Sequence, residues 1–216
     1  KNILLNSELI IDSTADEVQI ALLEEKRLVE FNSEKKDNNF SVGDIYLGRI
    51  RKIMPGLNAA FVDIGYEKDA FLHYLDLGPQ FLSLVKFMKN TGSGSQQDGM
   101  LTNFELEKDI DKGGKVSSAL AANQWIPVQI AKEPISTKGP RISSDISLAG
   151  RYVVMVPFSN VVSVSQKIKS SEERNRLRRL AQSIKPKNFG LIIRTVAEGK
   201  KVAEIDKDIQ DLISKC

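Results

Sequence analysis

Histidine and cysteine are almost absent from this chain of 216 residues, which contains one of each, His73 and Cys216. One histidine and one cysteine cannot form a Cys/His zinc site within the chain. A Ser-His-Asp triad would have to use His73, and nothing around it resembles a nucleophile turn. P-loop and GxGxxG segments are missing as well. We therefore expect no catalytic residues and no metal site within this chain. A single cysteine makes no internal disulfide, which favours a reducing cytoplasm.

Long hydrophobic runs are also missing. No stretch of 18 apolar residues occurs, so we expect no membrane span. No secretory signal opens the chain, which begins with Lys1 rather than Met, and we expect a fragment of a longer protein. The composition, 41% hydrophobic and 27% charged, is typical of a globular protein.

Positive charge is concentrated in one segment although the net charge is only +3. Residues 138–201 carry fourteen Lys/Arg against four Asp/Glu, whereas residues 1–137 carry an excess of five acidic side chains. Such an asymmetry indicates a polyanion partner or, equally, a solvated basic face without a partner.

The hydrophobic pattern of the first half predicts short strands. Residues 1–38 resemble a small β meander, "SELIID", "EVQIALLEE" and "RLVEFNSE", which is too small to fold well alone. Residues 39–74 predict three strands with Gly-rich turns, as in a small barrel or sandwich. We expect "QWIPVQIAKE", residues 124–133, to close the barrel after a long excursion over 75–123, partly helical and partly disordered, with a flexible loop at 90–99.

The order of elements in residues 134–216 indicates a small α/β domain. Strands "RYVVMVP" and "FGLIIRTV" flank the helix "SSEERNRLRRLAQSI", and "VAEIDKDIQDLISK" predicts a final amphipathic helix. Ser170 and Glu173 predict a capping box at the first of these helices. Its apolar stripe comprises Leu177, Leu180, Ala181 and Ile184.

Two phenylalanines flank the segment "Gly65-Tyr66-Glu67", which predicts a hairpin with a three-residue loop. In that register Phe61 faces Phe71, and Ile64 faces Lys68. Because side chains alternate across a strand, Val62 and Leu72 then lie on the core face. The other face holds Ala59, Phe61 and Asp63 opposite His73, Phe71 and Asp69.

This register places the phenylalanine pair on a mixed face that leans towards solvent, where bases could stack on the rings. Two other interpretations remain open. Another element could cover this face, or a slip of one residue could turn both rings inward. Asp63 opposite Asp69 counts against the register, since like charges oppose each other.

Several blocks of this sequence together resemble the ribonuclease E/G family of bacterial endoribonucleases: "VGDIYLGRIRKIMPGLNAAFVDIGYEKDAFLH", "KEPISTKG", "SDISLAGRYVVMVP" and "FGLIIRTVAEGK". Their order and spacing cover nearly the whole chain, and the compact style is closer to the ribonuclease G branch. The resemblance implies an α+β multi-subdomain fragment. Residues 1–38 would be a β-hairpin piece of a split ribonuclease H-like subdomain. Residues 39–133 would be an OB-fold RNA-binding domain of the ribosomal-protein S-one type, with the insertion near 75–123. Residues 134–216 would be a small α/β 5′-sensor subdomain.

The resemblance also implies site residues. The RNA-contacting aromatics of the OB-fold match Phe61 and Phe71, and the RNA-contacting lysine matches Lys138 in "STKG". A lysine there would hold a phosphate without reading a base.

For the sensor, the arginine and threonine that hold a 5′-monophosphate match Arg194 and Thr195. Gly150 and Val154 match positions of backbone contact. An arginine block of the family is replaced, since Gln166 and Lys167 stand there, and Lys167 would substitute as the second basic contact.

The function implied is the RNA-binding and 5′-monophosphate-sensing portion of a hydrolase that cleaves single-stranded RNA, in rRNA maturation and mRNA decay. The full-length family enzyme would be a cytoplasmic homo-oligomer using Mg²⁺ and a structural Zn²⁺, whereas this fragment would bind no metal and be inactive alone. One alternative is a non-catalytic OB-fold RNA-binding regulator. Another is a protein-interaction domain whose basic segment meets an acidic partner.

Overall fold

The computed structural model of the chain describes residues 7–35, 40–96, 99–135 and 138–215. Contacts divide the chain into two units, Lys1–Ser41 and Val42–Cys216. The division falls close to the boundary at residue 38 that the sequence predicts.

The first unit is a three-stranded antiparallel sheet with the order β1-β2-β3, comprising β1 (Ser7–Ser13), β2 (Glu17–Glu24) and β3 (Arg27–Lys35). The turn between β2 and β3 consists of Glu25 and Lys26, both at positive φ, 48° and 63°. Two such residues match the twist of a hairpin. The predicted meander is therefore confirmed.

The apolar side chains of this sheet are exposed in β1 and only half-buried in β2. Leu9, Ile11 and Leu28 are 63%, 60% and 62% exposed. A three-stranded sheet has no second layer with which to cover its faces. The exposure agrees with the expectation that this piece is too small to form its own core.

The second unit begins with a closed five-stranded barrel, which is consistent with an OB-like fold. Its strands, in the order β4-β5-β6-β8-β7, are β4 (Ile45–Met54), β5 (Ala59–Asp63), β6 (Ala70–His73), β7 (Trp125–Lys132) and β8 (Arg141–Ser143). Their inward side chains include Val62, Leu72, Ile126 and Ile142, all 0% exposed. Gly48 of β4 has no room for a side chain, since a Cβ there would lie 2.6 Å from Cγ1 of Val62.

The barrel extends past residue 133, where the sequence predicts its end. Strand β8 pairs in parallel with β6 through Phe71 and Arg141, and antiparallel with β7. Without β8, the edges of β6 and β7 would be unpaired. The short strand Arg141–Ser143 therefore closes the barrel and also leads the chain into the next layer.

That next layer is a four-stranded sheet with the order β11-β12-β10-β9, covered on one face by two helices. It comprises β9 (Leu148–Ala149), β10 (Val153–Pro157), β11 (Val162–Val164), α3 (Ser171–Ile184), β12 (Phe189–Ile193) and α4 (Val202–Ile213). Val153, Met155, Leu191 and Ile193 are 0% exposed and belong to one core with residues of both helices. The predicted strands and helices of the α/β layer are present, with the two short strands β9 and β11 in addition.

Helix α3 follows the predicted stripe but not the full capping box. Leu177, Leu180 and Ala181 are buried. Ser170 Oγ accepts a hydrogen bond from the backbone N–H of Glu173 at 3.2 Å, which satisfies one unpaired donor at the helix start. The Glu173 carboxylate does not return to the cap, because it accepts from Arg176 and from the loop after β12.

The excursion over residues 75–123 packs against the α/β layer. It contains α1 (Phe81–Gly92) and α2 (Val116–Ala119). Leu101 and Phe104 join the core of that layer, where the side chain of Asn188 donates to both of their carbonyl oxygens, at 2.9 and 2.7 Å. The predicted loop at 90–99 is helical up to Gly92, and residues 97–98 lie outside the described residues.

Candidate nucleic-acid interface

Phe61 and Phe71 are cross-strand partners on the outer face of the β5–β6 hairpin, as the predicted register requires. Their ring centroids are 6.0 Å apart and the planes meet at 69°, an edge-on arrangement. Both rings are half-buried, whereas Val62 and Leu72 behind them are 0% exposed. The inward slip of one residue is therefore wrong, and the pair lies on the barrel surface.

One neighbour departs from the expected face. Ala59, which pairs with His73, is only 1% exposed although it shares the outer side with Phe61. A methyl group is small enough to be covered by its neighbours.

The two aspartates beside the rings share one cation. Arg51 of β4 lies 3.3 Å from Asp63, between Nη2 and Oδ2, and 4.0 Å from Asp69, between Nε and Oδ1. Asp63 also accepts a hydrogen bond from the N–H of Gly65 at 3.0 Å, which supports the hairpin loop. Arg51 therefore reduces the repulsion between Asp63 and Asp69, which counted against the predicted register.

An open groove of about 650 Å³ runs beside the ring pair. It brings together the three residues predicted to contact RNA, since its lining comprises Phe61, Lys68, Asp69, Phe71, Lys138, Gly139 and Arg141. Lys138 is exposed at the rim. Gly139 allows this close approach, because a Cβ there would lie 2.2 Å from the carbonyl oxygen of Asp69.

Arg141 at the groove is held by Asp76. Its Nε and Nη2 donate to the two carboxylate oxygens of Asp76 at 3.0 and 3.1 Å, in a bidentate pair. Bidentate geometry fixes the plane of a guanidinium. The positive rim of the groove therefore combines an arginine fixed by its ion pair with the exposed side chains of Lys68 and Lys138.

A second candidate site lies where β12 ends. Arg194 is exposed, and its Nη1 donates to the carbonyl oxygen of Gly150 at 2.6 Å. Its backbone N–H donates to Tyr152 at 2.8 Å, so the arginine is attached to the turn before β10 at two points. The structure therefore brings together Arg194 and Gly150, which the sequence assigned to one site.

The turn at Gly150 is filled from behind by the carboxylate of Asp208 in α4. Three successive backbone N–H groups, of Arg151, Tyr152 and Val153, donate to it at 3.0, 2.7 and 3.1 Å. Successive N–H groups of this kind form an anion-binding concavity. Asp208 therefore occupies this concavity. The carbonyl oxygen of Gly150 accepts from Arg194, and the N–H of Gly150 donates to the carbonyl oxygen of Val153.

Thr195 has a hydroxyl partner that the sequence did not indicate. Its Oγ1 lies 3.0 Å from Oγ of Ser165, and either atom can donate. The backbone N–H of Lys167 donates to the same Ser165 oxygen at 3.3 Å, and the Lys167 side chain is exposed. Ser165 therefore links Thr195 to the segment that carries Lys167, with Gln166 between them.

Val154 lies on the sheet face opposite the helices. It pairs with Ile192 and Ala149. Together with Val156, Ser163 and Ile192 it lines an open groove of about 390 Å³. The apolar face beside Arg194 is thus accessible, with Ile192 43% exposed.

The loop after Arg194 and Thr195 is fastened by one ion pair. Arg176 donates to both carboxylate oxygens of Glu173 at 2.7 Å, and the N–H of Gly199 donates to Glu173 at 2.8 Å. These hydrogen bonds, the one from Arg176 first, lower the pKa of Glu173 to about 2.

The described residues contain no group of three or more His, Cys, Asp or Glu side chains that could hold a metal ion. Cys216 lies outside the described residues, and the Mg²⁺ and Zn²⁺ expected of the full-length family enzyme stay predictions. None of the helices in the described part combines the length and apolar character that crossing a membrane requires.

Three residues with evident roles at these sites escaped the sequence-based assignment. Arg51, Ser165 and Asp208 act through contacts that only the fold creates. Arg51 contacts Asp63 from the neighbouring strand, Ser165 contacts Thr195 where the chain leaves β11 and β12, and Asp208 of α4 contacts the turn before β10. Only the role of Arg51 had a signal in the sequence: Arg51 is a basic residue in the strand that precedes a hairpin with two opposed aspartates.

Comparison with known proteins gives the family. A family model described as "Ribonuclease E/G family" matches residues 147–216. Ribonuclease E of Nostoc sp. is 38% identical over 202 residues, covering 90% of this chain and 26% of the relative. Ribonuclease G of Haemophilus influenzae is 37% identical over 205 residues, covering 95% and 38%. Ribonuclease G of Escherichia coli (strain K12) is 34% identical over 204 residues, covering 94% and 38%.

Relatives of both names match at similar identity, so the expected likeness to ribonuclease G in particular stays a prediction. The chain spans between about a quarter and two fifths of the length of these curated relatives. The matched stretches include the barrel with its phenylalanine pair and the layer that carries Arg194 and Thr195. This chain therefore belongs to the ribonuclease E/G family.

Proposed function

We propose that this chain is the RNA-binding and 5′-monophosphate-sensing portion of a bacterial endoribonuclease that processes or degrades single-stranded RNA. The observation that carries the proposal is the surface pair Phe61–Phe71 in one groove with Lys138. Aromatic faces and a lysine at a groove are what a single strand of RNA needs for stacking and for phosphate contact.

The barrel half would hold the strand without reading its sequence. Bases stack on Phe61 and Phe71, each worth about 1–3 kcal/mol. Lys138, exposed at the rim, contacts a phosphate as a point charge. The barrel acts as an OB-fold of the ribosomal-protein S-one type in this proposal. The exposed sheet of residues 7–35 serves as the first part of the split ribonuclease H-like subdomain.

The α/β layer would act as the 5′ sensor. Arg194 offers a guanidinium fork to the terminal phosphate, and its attachment to Gly150 fixes the direction of that fork. Thr195 adds a hydroxyl donor, because Ser165 can accept or donate in the pair that they form. Lys167 supplies a second positive charge, and Val154 lines the apolar face beside the phosphate.

The charge distribution supports the same proposal. The segment 138–201, which holds Lys138, Arg194 and Lys167, carries the basic excess of the chain. Arginines of α3, such as the half-buried Arg178 and the exposed Arg179, contribute a general attraction to RNA rather than a specific contact.

In this proposal a longer protein, which contains this chain and forms a cytoplasmic homo-oligomer, cleaves RNA in rRNA maturation and mRNA decay. Mg²⁺ would supply the hydrolytic chemistry and Zn²⁺ a structural link, both held by segments outside this chain. The 216-residue chain binds RNA and does not cut it. Robust cleavage of RNA by the purified chain, with or without Mg²⁺, would contradict this assignment.

Binding of matched oligoribonucleotides tests the proposal. A ten-nucleotide single-stranded RNA with a 5′-monophosphate should bind the chain more tightly than the same RNA with a 5′-hydroxyl, and both should weaken as salt rises. A regulator with only the barrel activity would bind both ends equally. A protein-interaction domain would bind neither.

A further inference from the structure

The strand that carries Arg51 contains a β-bulge at this residue. In the β4–β5 ladder Ile50 pairs with Val62 and Lys52 pairs with Phe61, so Arg51 is the additional residue. A bulge leaves its extra residue unpaired and redirects a side chain. Accordingly Arg51 and Lys52 are both exposed, whereas strict alternation would have placed one of them inside.

The redirected guanidinium reaches two carboxylates that flank the ring pair. Asp63 is the last residue of β5, two residues beyond Phe61, and Asp69 immediately precedes β6, two residues before Phe71. The alternation of side chains therefore directs both carboxylates to the side of the rings. Arg51 contacts them at 3.3 and 4.0 Å. Asp69 is itself part of the groove lining.

An RNA strand brings one negative charge with each nucleotide, and two uncompensated carboxylates beside the stacking rings would repel it. Resting on the proposed function of this groove, we infer that Arg51 is a positioning residue for RNA: it neutralises Asp63 and Asp69 so that the phosphate chain can pass the Phe61–Phe71 pair. Arg51 acts through the two carboxylates and makes no phosphate contact of its own.

A charge-removal cycle tests this inference. The four proteins are the unchanged chain, R51Q, the double variant D63N/D69N, and the triple variant. The ligand is a ten-nucleotide oligouridylate with a 5′-hydroxyl, which leaves the 5′ sensor out of the measurement. Asparagine at position 63 retains an oxygen that can accept from Gly65, so the hairpin loop keeps its support.

R51Q should weaken binding by about tenfold at low salt, the effect of one unit charge at contact distance. The triple variant should recover at least the affinity of the unchanged chain, because removal of the two carboxylates compensates for the lost cation. R51K should retain most of the affinity. The matched control is R49Q, which removes the same charge from the same strand, since Arg49 donates to the neutral Asn123 at 2.8 Å and should lose less affinity than Arg51.

Three outcomes would overturn the inference: no loss in R51Q, an equal loss in R49Q, or a triple variant that binds as weakly as R51Q. The last would mean that Arg51 acts on the RNA itself and not through the two carboxylates. Thermal unfolding of each variant separates these results from a folding defect. F61A, measured beside them, distinguishes this failure from failure of the proposed function, because F61A must lose affinity if RNA uses the groove at all.

Discussion

Arg194 and Gly150 are 44 positions apart in the sequence and meet through one hydrogen bond of 2.6 Å, from Nη1 to the carbonyl oxygen. This bond holds the guanidinium at the end of β12 against the turn that precedes β10. A guanidinium with one donor engaged still has others to offer to a phosphate. The bond therefore orients the proposed sensor arginine without using up its binding capacity.

Replacing Arg194 tests the sensor. R194A should abolish the preference of the chain for 5′-monophosphorylated over 5′-hydroxyl RNA, because the oriented fork is lost. Affinity for the 5′-hydroxyl RNA should change by less than about threefold, since the barrel is intact. Affinities of both RNAs, measured by fluorescence anisotropy at one salt concentration, give the ratio.

The matched control for Arg194 is R178A, which removes the same charge from α3, where the half-buried Arg178 donates to Asn175. It should lower both affinities alike. A preference for the 5′-monophosphate that survives in R194A would show that the sensor assignment is wrong.

Truncation of the ring pair tests the barrel. F61A should weaken binding of single-stranded RNA by about 1–3 kcal/mol, and F71A by a similar amount, because each removes a stacking surface. The double variant should cost less than the sum, since the rings are in contact. The control is L75A, an apolar side chain that is 64% exposed and lies outside the groove lining. Unchanged affinity in F61A would mean that RNA does not use this groove.

Acid should loosen the loop that follows the sensor residues. The pKa of Glu173 is lowered to about 2 from its ordinary value of 4.5, chiefly by its hydrogen bond from Arg176. A carboxylate whose pKa is lowered by folding stabilises the folded chain at any pH above the pKa that it has in the unfolded chain. This stabilisation is lost as the pH falls from about 4.5 through about 2.

Glu173→Gln isolates this effect from other carboxylates. The free energy of unfolding of the unchanged chain, from urea titrations at pH 6 to pH 2.5, should fall more steeply than that of the variant. The two curves should converge at the acid end. Parallel curves across this range would mean that Glu173 carries no pH-dependent stability.

The close packing behind Gly150 gives a stability prediction. An alanine Cβ there would lie 2.5 and 2.8 Å from the carboxylate oxygens of Asp208, which three N–H groups hold in place. G150A should therefore destabilise the chain by about 1–3 kcal/mol, as overpacking does. In a D208A background the same substitution should cost clearly less. An equal cost in both backgrounds would place the strain elsewhere.

The pairing of Phe61 with Phe71 could be predicted from the sequence because a turn that contains glycine and a two-residue period leave few registers. The predicted length of the loop, three residues, was wrong: the ladder ends at Val62 and Ala70 and does not include Ile64 and Lys68. Arg51 could not be placed, since alternation alone puts Arg51 and Lys52 on opposite faces and a bulge has no local signature here. Ser165 and Asp208 were missed for a related reason. Their partners lie 30 residues away or more, on other strands, and only tertiary packing brings them together.

The excursion shows the same division between local and non-local information. Its polar, Gly- and Ser-rich stretch at 90–99 predicted a flexible loop, which is helical up to Gly92. Nothing in the sequence indicated that Leu101 and Phe104, which follow this stretch, are anchored by Asn188, more than 80 residues later. A buried amide that donates to two carbonyl oxygens leaves no periodic pattern to detect. The predicted stripe of α3 succeeded because all its members lie on one helix.

The closing strand Arg141–Ser143 limits where this chain can be cut. It belongs to the barrel by its pairing, and its chain continues directly into the α/β layer. A protein cut at residue 133 would expose two unpaired strand edges, along β6 and β7, and such edges invite pairing with other chains. A barrel transplanted into another protein should therefore include residues 134–143, because without them its open strand edges favour aggregation.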